Sequence, residues 1–348
     1  MATYRAVIIG AGGISARHIK GWLDHPDVDI VAIADISEAN AERRAEEFGI
    51  PNVYTDYQDM LTQEKPDLAS ICTWMIGHAE QAIAASDAGV KGILCEKPFA
   101  GSLQEIDTVL DAARKNDTRI ALGHHHRFSK INEEVRRRIA EGAIGTPTLC
   151  HRSSQGGVFN NSSHQVDTVR FILQDPAPLW ALGHVSRNTD RYERHEPIED
   201  LCGGIICLEG GTRIVLESDF PDPKIPEAGT TFHGTEGSIV INTRSGYRLF
   251  NGETGSQESV ELEPGDVGAA QALELVDWLE GRVESHRNNA QNNRTTIEAL
   301  LGLYESARTR SLVTFPLPSG PSPLHQMIED GTLEITQPGK YDIRIKEQ

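Results

Sequence analysis

The sequence predicts an α/β domain followed by an α+β domain: a doubly wound parallel sheet with helices on both faces, then a mostly antiparallel sheet. Three observations predict it. Short apolar strand runs alternate with helical spacings as far as Gly123. Beyond Gly123, strand signals follow one another with few helices between them and with glycine turns at Gly210–Gly211 and Glu236–Gly237. The length, 348 residues, suits two domains at ~150 residues each. A chain this long buries roughly three quarters of its unfolded surface and needs no disulfides to fold.

Taken in order, Arg5–Gly10 reads as the first strand, and Ile14, His18 and Trp22 share one face of the helix after it. Asp29–Asp35 is the second strand. Ser37 caps the next helix and Gly49 ends it. Leu68–Thr73, Gly92–Cys95 and Arg119–Gly123 are further strands. Between them lie the helix Glu80–Ala88, closed by Gly89, and the helix Ser102–Lys115. The latter opens with a capping box, Ser102 with Glu105, which satisfies two free N–H groups reciprocally. Strands this short and apolar, separated by helices, imply a parallel sheet covered on both faces. After Gly123 comes a helix over about Ile131–Glu141, with Ile131, Val135 and Ile139 on one face, and another over Ser163–Leu173. Strands are expected at Trp180–Arg187, Gly203–Glu209, Thr212–Ser218, Thr230–His233, Ser238–Asn242 and Tyr247–Asn251. Two helices follow, near Ala269–Glu280 and Thr295–Arg310, with Asn288–Asn293 as a loop between them. Pro316, Pro318, Pro321 and Pro323 make a linker, and Tyr341–Lys346 alternates like an edge strand. The expected domains are 1–123 and 124–316, with a C-terminal tail at 317–348.

Composition narrows the function. Lys and Arg total 33 against 51 Asp and Glu, a formal charge of −18. That balance argues against a nucleic-acid grip, which needs clustered cations to displace counterions, and against docking on an anionic membrane. It leaves a small anionic ligand open, because a local site can oppose the global charge. The opening MATYRAVIIGAGGIS reads as a strand and not a signal peptide. No stretch approaches ~20 apolar residues. The five cysteines, Cys72, Cys95, Cys150, Cys202 and Cys207, fit no zinc spacing. Reduced, buried thiols in the cytoplasm are expected.

Chemistry enters at Gly10-Ala11-Gly12-Gly13-Ile14-Ser15, which follows a strand and opens a helix. The tight turn needs glycine at 10, and close approach of a pyrophosphate needs it at 12. The helix N-terminus then offers free N–H groups and a partial positive charge. Ser15 replaces the third glycine of the pattern. Asp35 ends the second strand, where a carboxylate accepts both ribose hydroxyls of an adenosine and repels a 2′-phosphate. The pattern therefore favours NAD over NADP. Arg43 and Arg44 read as too far along the next helix to clamp a 2′-phosphate. The bland alternative is a tight strand–helix turn with no ligand. A second constellation, Cys95-Glu96-Lys97-Pro98, lies beyond the carboxyl end of its strand, where such sheets bind ligands. On residues alone, Lys97 either faces the nicotinamide half of a dinucleotide or is a surface lysine in a proline turn.

These motifs recur in a known order. GAGGIS, Asp35, Thr73 with His78, Glu96-Lys97-Pro98, Gly123-His124-His125-His126-Arg127-Phe128, His164-Gln165-Val166-Asp167 and Phe232-His233-Gly234-Thr235-Glu236-Gly237-Ser238 follow one another. Together they resemble the glucose–fructose oxidoreductase / inositol dehydrogenase (Gfo/Idh/MocA) family over about residues 4–316. The resemblance implies an N-terminal Rossmann domain. It also implies a C-terminal domain with a large, open, mainly antiparallel sheet that builds homodimers or homotetramers. It implies a cofactor site of Gly10, Gly12, Gly13, Ile14, Asp35, Thr73, Trp74, His78, Glu96, Lys97 and His125, the last facing the nicotinamide. Lys97 would stabilise an alkoxide, and His164 would be the acid/base that exchanges its proton. Arg127 would reach the substrate or fix the wall of the site. The family's Asp-x-x-x-His stretch aligns with Asn160 and His164, so the acidic residue often found there is an asparagine here. Asn160 can bond a sugar hydroxyl or orient the imidazole, and it cannot relay a proton.

Other residues keep two readings. Trp74 either stacks on sugar C–H faces or simply packs. Asp167 reads as structural. Arg152, with Gln155, Arg187 and Asp200, is a polar candidate for substrate contact. His124, His125 and His126 alternate in direction along a strand end, so they cannot ligate one metal together. The activity implied is NAD-dependent interconversion of a secondary alcohol and a ketone on a sugar, cyclitol or polyol. Two rivals stay open: a glycoside-cleaving enzyme that recycles NAD through C3 oxidation and elimination, and a non-catalytic NAD-binding sensor. The tail is expected to lie across a partner subunit or over the active site.

Overall fold

A computed structural model describes residues 4–220 and 230–339. Six strands alternate with five helices in the first part of the chain. They are β1 (Tyr4–Ile9), α1 (Ser15–Leu23), β2 (Val28–Ala34), α2 (Glu38–Phe48), β3 (Asn52–Tyr54), α3 (Tyr57–Glu64), β4 (Leu68–Ile71), α4 (Met75–Asp87), β5 (Gly92–Cys95), α5 (Leu103–Lys115) and β6 (Arg119–Leu122). All pair in parallel, in the order β3-β2-β1-β4-β5-β6. This is the doubly wound order, with the switch point between β1 and β4. The expected strands are all present. The sequence reading missed β3 and α3. β3 has only three residues, two of them exposed, and Asp56 caps α3 by accepting from the N–H groups of Gln58 and Asp59. The capping box of α5 forms in altered shape. Ser102 Oγ accepts from the Glu105 N–H and donates to the Glu105 carboxylate.

The chain divides into two compact units: Met1–Phe128 with Asp266–Asn293, and Ser129–Gly265 with Arg294–Gln348. The first unit thus takes in 266–293 along with the parallel-sheet segment. There α8 (Val267–Leu279) buries Ala272, Leu275 and Val276 in one core with Ile8, Ile19 and Trp22. The stretch expected as an asparagine loop is a fastening. The Leu122 N–H donates to Asn288 O at 2.9 Å, Asn289 bridges Ala121, and α9 (Ala290–Thr309) begins inside it.

The second unit opens with α6 (Lys130–Ala140), β7 (Pro147–Ser154), one π-helical turn (Val158–Ser162) and α7 (Ser163–Ile172). Strands follow: β8 (Pro178–Ser186), β9 (Tyr192–Glu193), β10 (Glu196–Pro197), β11 (Leu201–Leu208), β12 (Arg213–Ser218), β13 (Thr230–Gly234), β14 (Gly237–Asn242), β15 (Gly246–Asn251), β16 (Gln257–Glu261) and β17 (Val313–Thr314). Nine of them make one sheet, ordered β16-β15-β14-β13-β7-β12-β11-β8-β17. Every pairing in it is antiparallel except β7 with β12. The unforeseen β7 is its middle strand. On β12 the inward residues Ile214, Leu216 and Ser218 alternate with more exposed ones, as a sheet with one buried face requires. The proline-rich segment leads into α10 (Pro323–Glu329), with Pro323 in its first turn. The expected strand at Tyr341–Lys346 lies outside the described residues. All five cysteines are buried and none forms a disulfide. Among the described residues, no helix is long and apolar enough to cross a membrane.

Candidate active site

The first unit builds a loop shaped for a dinucleotide. Gly10 has φ +95°, and a Cβ there would lie 2.9 Å from the Cys72 carbonyl carbon and from Thr73 Cγ2. Only glycine takes that conformation and that approach without strain. Asp35 staples the loop to β2: one oxygen accepts from the Ala11 N–H at 2.7 Å, the other from the Ser37 N–H at 2.9 Å. A carboxylate has about four acceptor sites, so both oxygens keep capacity for ribose hydroxyls. Ser15 explains its presence in the glycine pattern, because its hydroxyl donates to Gly12 O at 2.7 Å. Arg44 was expected to lie too far along α2 to clamp a phosphate, yet it reaches the loop. Its Nη2 donates to Gly12 O at 3.0 Å and its Nη1 to Glu47 at 2.6 Å. Those bonds commit the buried guanidinium to the protein.

The outer side of the loop is bare: a Cβ at Gly12 or Gly13 would meet nothing within 4 Å. A cleft of about 410 Å³ opens beside it, lined by Gly13, Ile14, Arg17 and Lys20 among others. Bare backbone at a helix N-terminus, with Ile14 as its cap residue and Asp35 alongside, fits the pyrophosphate and adenosine ribose of NAD.

Beyond β5, Lys97 is partly exposed and joins Pro98 through a cis peptide. Its backbone N–H donates to Glu96 Oε2 at 3.1 Å. The His18 imidazole touches the other Glu96 oxygen, with Nε2 3.0 Å from Oε1. Burial opposes ionisation of Glu96, but the His18 bond, with Lys97 and His78 nearby, holds its carboxyl down to about 2. Thr73 donates to Gln81 at 2.6 Å. Trp74 is 47% exposed at the cap position of α4. His125 sits in the turn after β6, its Nδ1 3.3 Å from Arg17 Nη1. Burial first, then the His126 and Arg17 charges, push it down to about 3, so the ring is neutral at pH 7.

Two of the residues expected at the ligand are deeply buried. His78 is fully enclosed, with Nδ1 2.7 Å from Pro98 O and Nε2 3.2 Å from Thr73 O. It ties the ends of β4 and β5 together from within the unit. Arg127 is also fully buried and donates to Arg287 O at 3.1 Å, fastening the returning segment.

The second unit holds Asn160, His164 and Arg152. Asn160 is buried in the π-helical turn, a feature common at functional sites. His164 is half-buried in the first turn of α7, and its carbonyl accepts from Thr168 Oγ1 at 2.7 Å. Asp167 is fully buried and accepts from Thr296 Oγ1 at 3.2 Å, a structural placement. Arg152 lies on β7 and donates to the Thr230 hydroxyl. The segment leading to Asn160 hangs on two carboxylates that sequence reasoning missed. Asp219 accepts from the Gly156 and Gly157 N–H groups at 2.8 and 2.7 Å. Glu199, fully buried, accepts from the Val158 N–H and from Tyr304 Oη, both at 2.7 Å. Burial raises the Glu199 pKa against those bonds. No local signal marks either residue, since each meets its partners across a long sequence separation.

A doubly wound unit with this loop, in a chain whose other unit is built on a large mostly antiparallel sheet, defines an NAD-binding oxidoreductase. The family model described as "Oxidoreductase family, NAD-binding Rossmann fold" (GFO_IDH_MocA) matches residues 4–124. The uncharacterized oxidoreductase YrbE of Bacillus subtilis (strain 168) is 32% identical over 252 residues, covering 68% of this chain and 72% of its own. D-apiose dehydrogenase of Paraburkholderia graminis is 24% identical over 332 residues, covering 88% of each. The structure of the WlbA dehydrogenase from Bordetella pertussis in complex with NADH and UDP-GlcNAcA aligns with a TM-score of 0.76 at 18% identity. It covers 91% of this chain and 99% of that one, a likeness of fold. The chain belongs to the Gfo/Idh/MocA family of NAD-binding oxidoreductases.

Proposed function

We propose that the protein interconverts a secondary alcohol and a ketone on a sugar, cyclitol or related polyol. Lys97 steadies the reacting oxygen and His164 exchanges its proton. One observation carries the reading: Lys97 lies beyond β5, in the same sheet as the glycine loop and two strands from it. The relative named as a D-apiose dehydrogenase supports a sugar as substrate. Bound NAD would supply a hydride acceptor. Gly12, Gly13 and the start of α1 would hold its pyrophosphate, and Asp35 its adenosine ribose.

The rest falls to the chain's own groups. As the alcohol loses its proton, negative charge grows on the oxygen, and the Lys97 ammonium stabilises it. Imidazole is the side chain best suited to exchanging a proton near neutral pH. Asn160 adds no charge that would make His164 more basic, so proton transfer rests on His164 with Lys97. Asp167, committed to Thr296, is a support for α7. The half-exposed Leu179 and Leu182 on β8 support the expected self-association through the large sheet. A monomeric mass in solution would count against that part of the reading.

The test offers the protein a sugar and polyol panel with NAD and follows absorbance at 340 nm. Removing one charge-stabilising group typically costs about 10²–10³ in kcat, so Lys97→Ala should lose at least about 100-fold. Full activity in that variant refutes the assignment. Sugar release from a glycoside with no net NADH would favour the cofactor-recycling alternative.

A further inference from the structure

We infer that His18 is a positioning residue for Lys97. From the helix that opens at the glycine loop, its imidazole grips the Glu96 carboxylate, and Glu96 in turn holds the backbone from which Lys97 projects. His18 lies on the buried face of α1 and is 2% exposed, although its neighbours Ile19 and Trp22 make that face apolar. A polar ring placed there costs free energy unless it is bonded on both sides. It is so bonded: Nε2 to Glu96 Oε1 at 3.0 Å, and Nδ1 to Ser70 Oγ at 3.1 Å. Ser70 is itself fixed by the Trp22 indole N–H, which donates to its hydroxyl at 2.7 Å.

Glu96 is held on three sides. His18 takes one oxygen, the Lys97 N–H takes the other, and the third side is closed by Gly123. A Cβ at Gly123 would lie 2.8 Å from Glu96 Oε1, so only glycine leaves room for the carboxylate. An ionised carboxylate only accepts, so His18 Nε2 carries a proton. Burial works against a charged His18, and the neighbouring Cys72 and Glu96 outweigh it, so its pKa is raised. The result is a buried ion pair between α1 and the residue before Lys97. Such pairs add little net stability over apolar packing of the same volume. This one gives a rigid link: the helix presenting its N-terminus to the cofactor also sets where Lys97 starts. The catalytic consequence rests on the role proposed above for Lys97.

Without His18, Lys97 is the next cation acting on Glu96, and its ammonium is drawn onto that carboxylate. The rate of Lys97 modification by trinitrobenzenesulfonate at pH 8, read by peptide mass spectrometry, reports this directly. Lys91 and Lys115 serve as internal references. In the full-length chain, His18→Leu should slow Lys97 labelling at least fivefold with both references unchanged. His18→Gln, which returns an N–H donor to Glu96, should label within twofold of the parent. Adding Glu96→Gln to His18→Leu removes the competing charge and should restore the rate. Where His18→Leu fails to fold, His18→Asn, too short to reach Glu96, should show the same slowing. Lys97 labelling unchanged or faster in the folded Leu or Asn variant overturns the inference, as does a double variant that stays slow. The measurement needs neither substrate nor turnover, so an error in the substrate class does not affect it.

Discussion

Removing the Asp219 carboxylate should release the segment that carries Asn160. Its two oxygens collect four bonds: the Gly156 N–H at 2.8 Å, the Gly157 N–H at 2.7 Å, Arg191 Nη2 at 2.8 Å and Ser218 Oγ at 3.0 Å. The side chain is 9% exposed, and that of Arg191 17%. Hydrogen bonds to a charged group contribute about 1.5–3 kcal/mol each. These four share one carboxylate and do not add. Breaking a buried pair by removing one partner costs about 3–5 kcal/mol, so Asp219→Ala should lose ~3 kcal/mol and Asp219→Asn roughly half of that. Amide hydrogen exchange over residues 155–162 reads the effect locally. An opening free energy lower by ~3 kcal/mol corresponds to about 100-fold faster exchange. Burial alone would raise the Asp219 pKa, but Arg191 and the two glycine N–H groups outweigh it and the folded value is lowered. The unfolded chain, with an ordinary value near ~3.9, therefore binds the proton first. The stabilisation is complete above that pH and is lost as pH falls through the lower folded value. The alanine variant should lack this acid-sensitive component. Exchange unchanged within threefold in Asp219→Ala would refute the reasoning.

Two further outcomes are expected. Gly10→Ala forces a side chain into φ +95° and against the Cys72 backbone. The left-handed conformation alone costs roughly 1–2 kcal/mol. NADH affinity by fluorescence titration should fall at least tenfold, and a change under twofold would show that the loop tolerates the methyl. Tyr304→Phe keeps the ring that stacks on Phe159 at 5.8 Å but removes a donor from the buried Glu199. Leaving a buried acceptor short of a partner costs about 1–3 kcal/mol, read as a lower urea midpoint. An unchanged midpoint would mean that Glu199 is neutral or bonded elsewhere.

What the sequence made legible was local. The glycine loop, Asp35 and Lys97 each follow a strand within a few residues, so the strand–turn–helix rhythm alone places them on one edge of the parallel sheet. His18 was visible only as a polar residue in an apolar stripe with Ile14 and Trp22. Its meaning needed Glu96, 78 residues later in the chain. β7 escaped notice because its strand, PTLCHRSS, lacks clean alternation, and its parallel partner β12 lies beyond several intervening elements. The π-helical turn around Asn160 depends on Glu199 and Tyr304, which no spacing connects to it. α8 was read correctly as a helix, yet its apolar face does not say which sheet it covers.

That return of α8 has a consequence for biosynthesis. The core of the first unit is completed by residues made only after all of Ser129–Gly265 has been synthesised. At about 5–20 residues per second, that leaves a delay of roughly 7–30 s. During it the surface around Ile19 and Trp22 lacks Ala272, Leu275 and Val276. A fragment ending at Phe128 should accordingly aggregate or bind a hydrophobic dye, and a synthetic peptide spanning 266–293 should rescue it. The nucleotide-binding half of this protein is thus finished late, by a piece of chain encoded downstream of most of the other half.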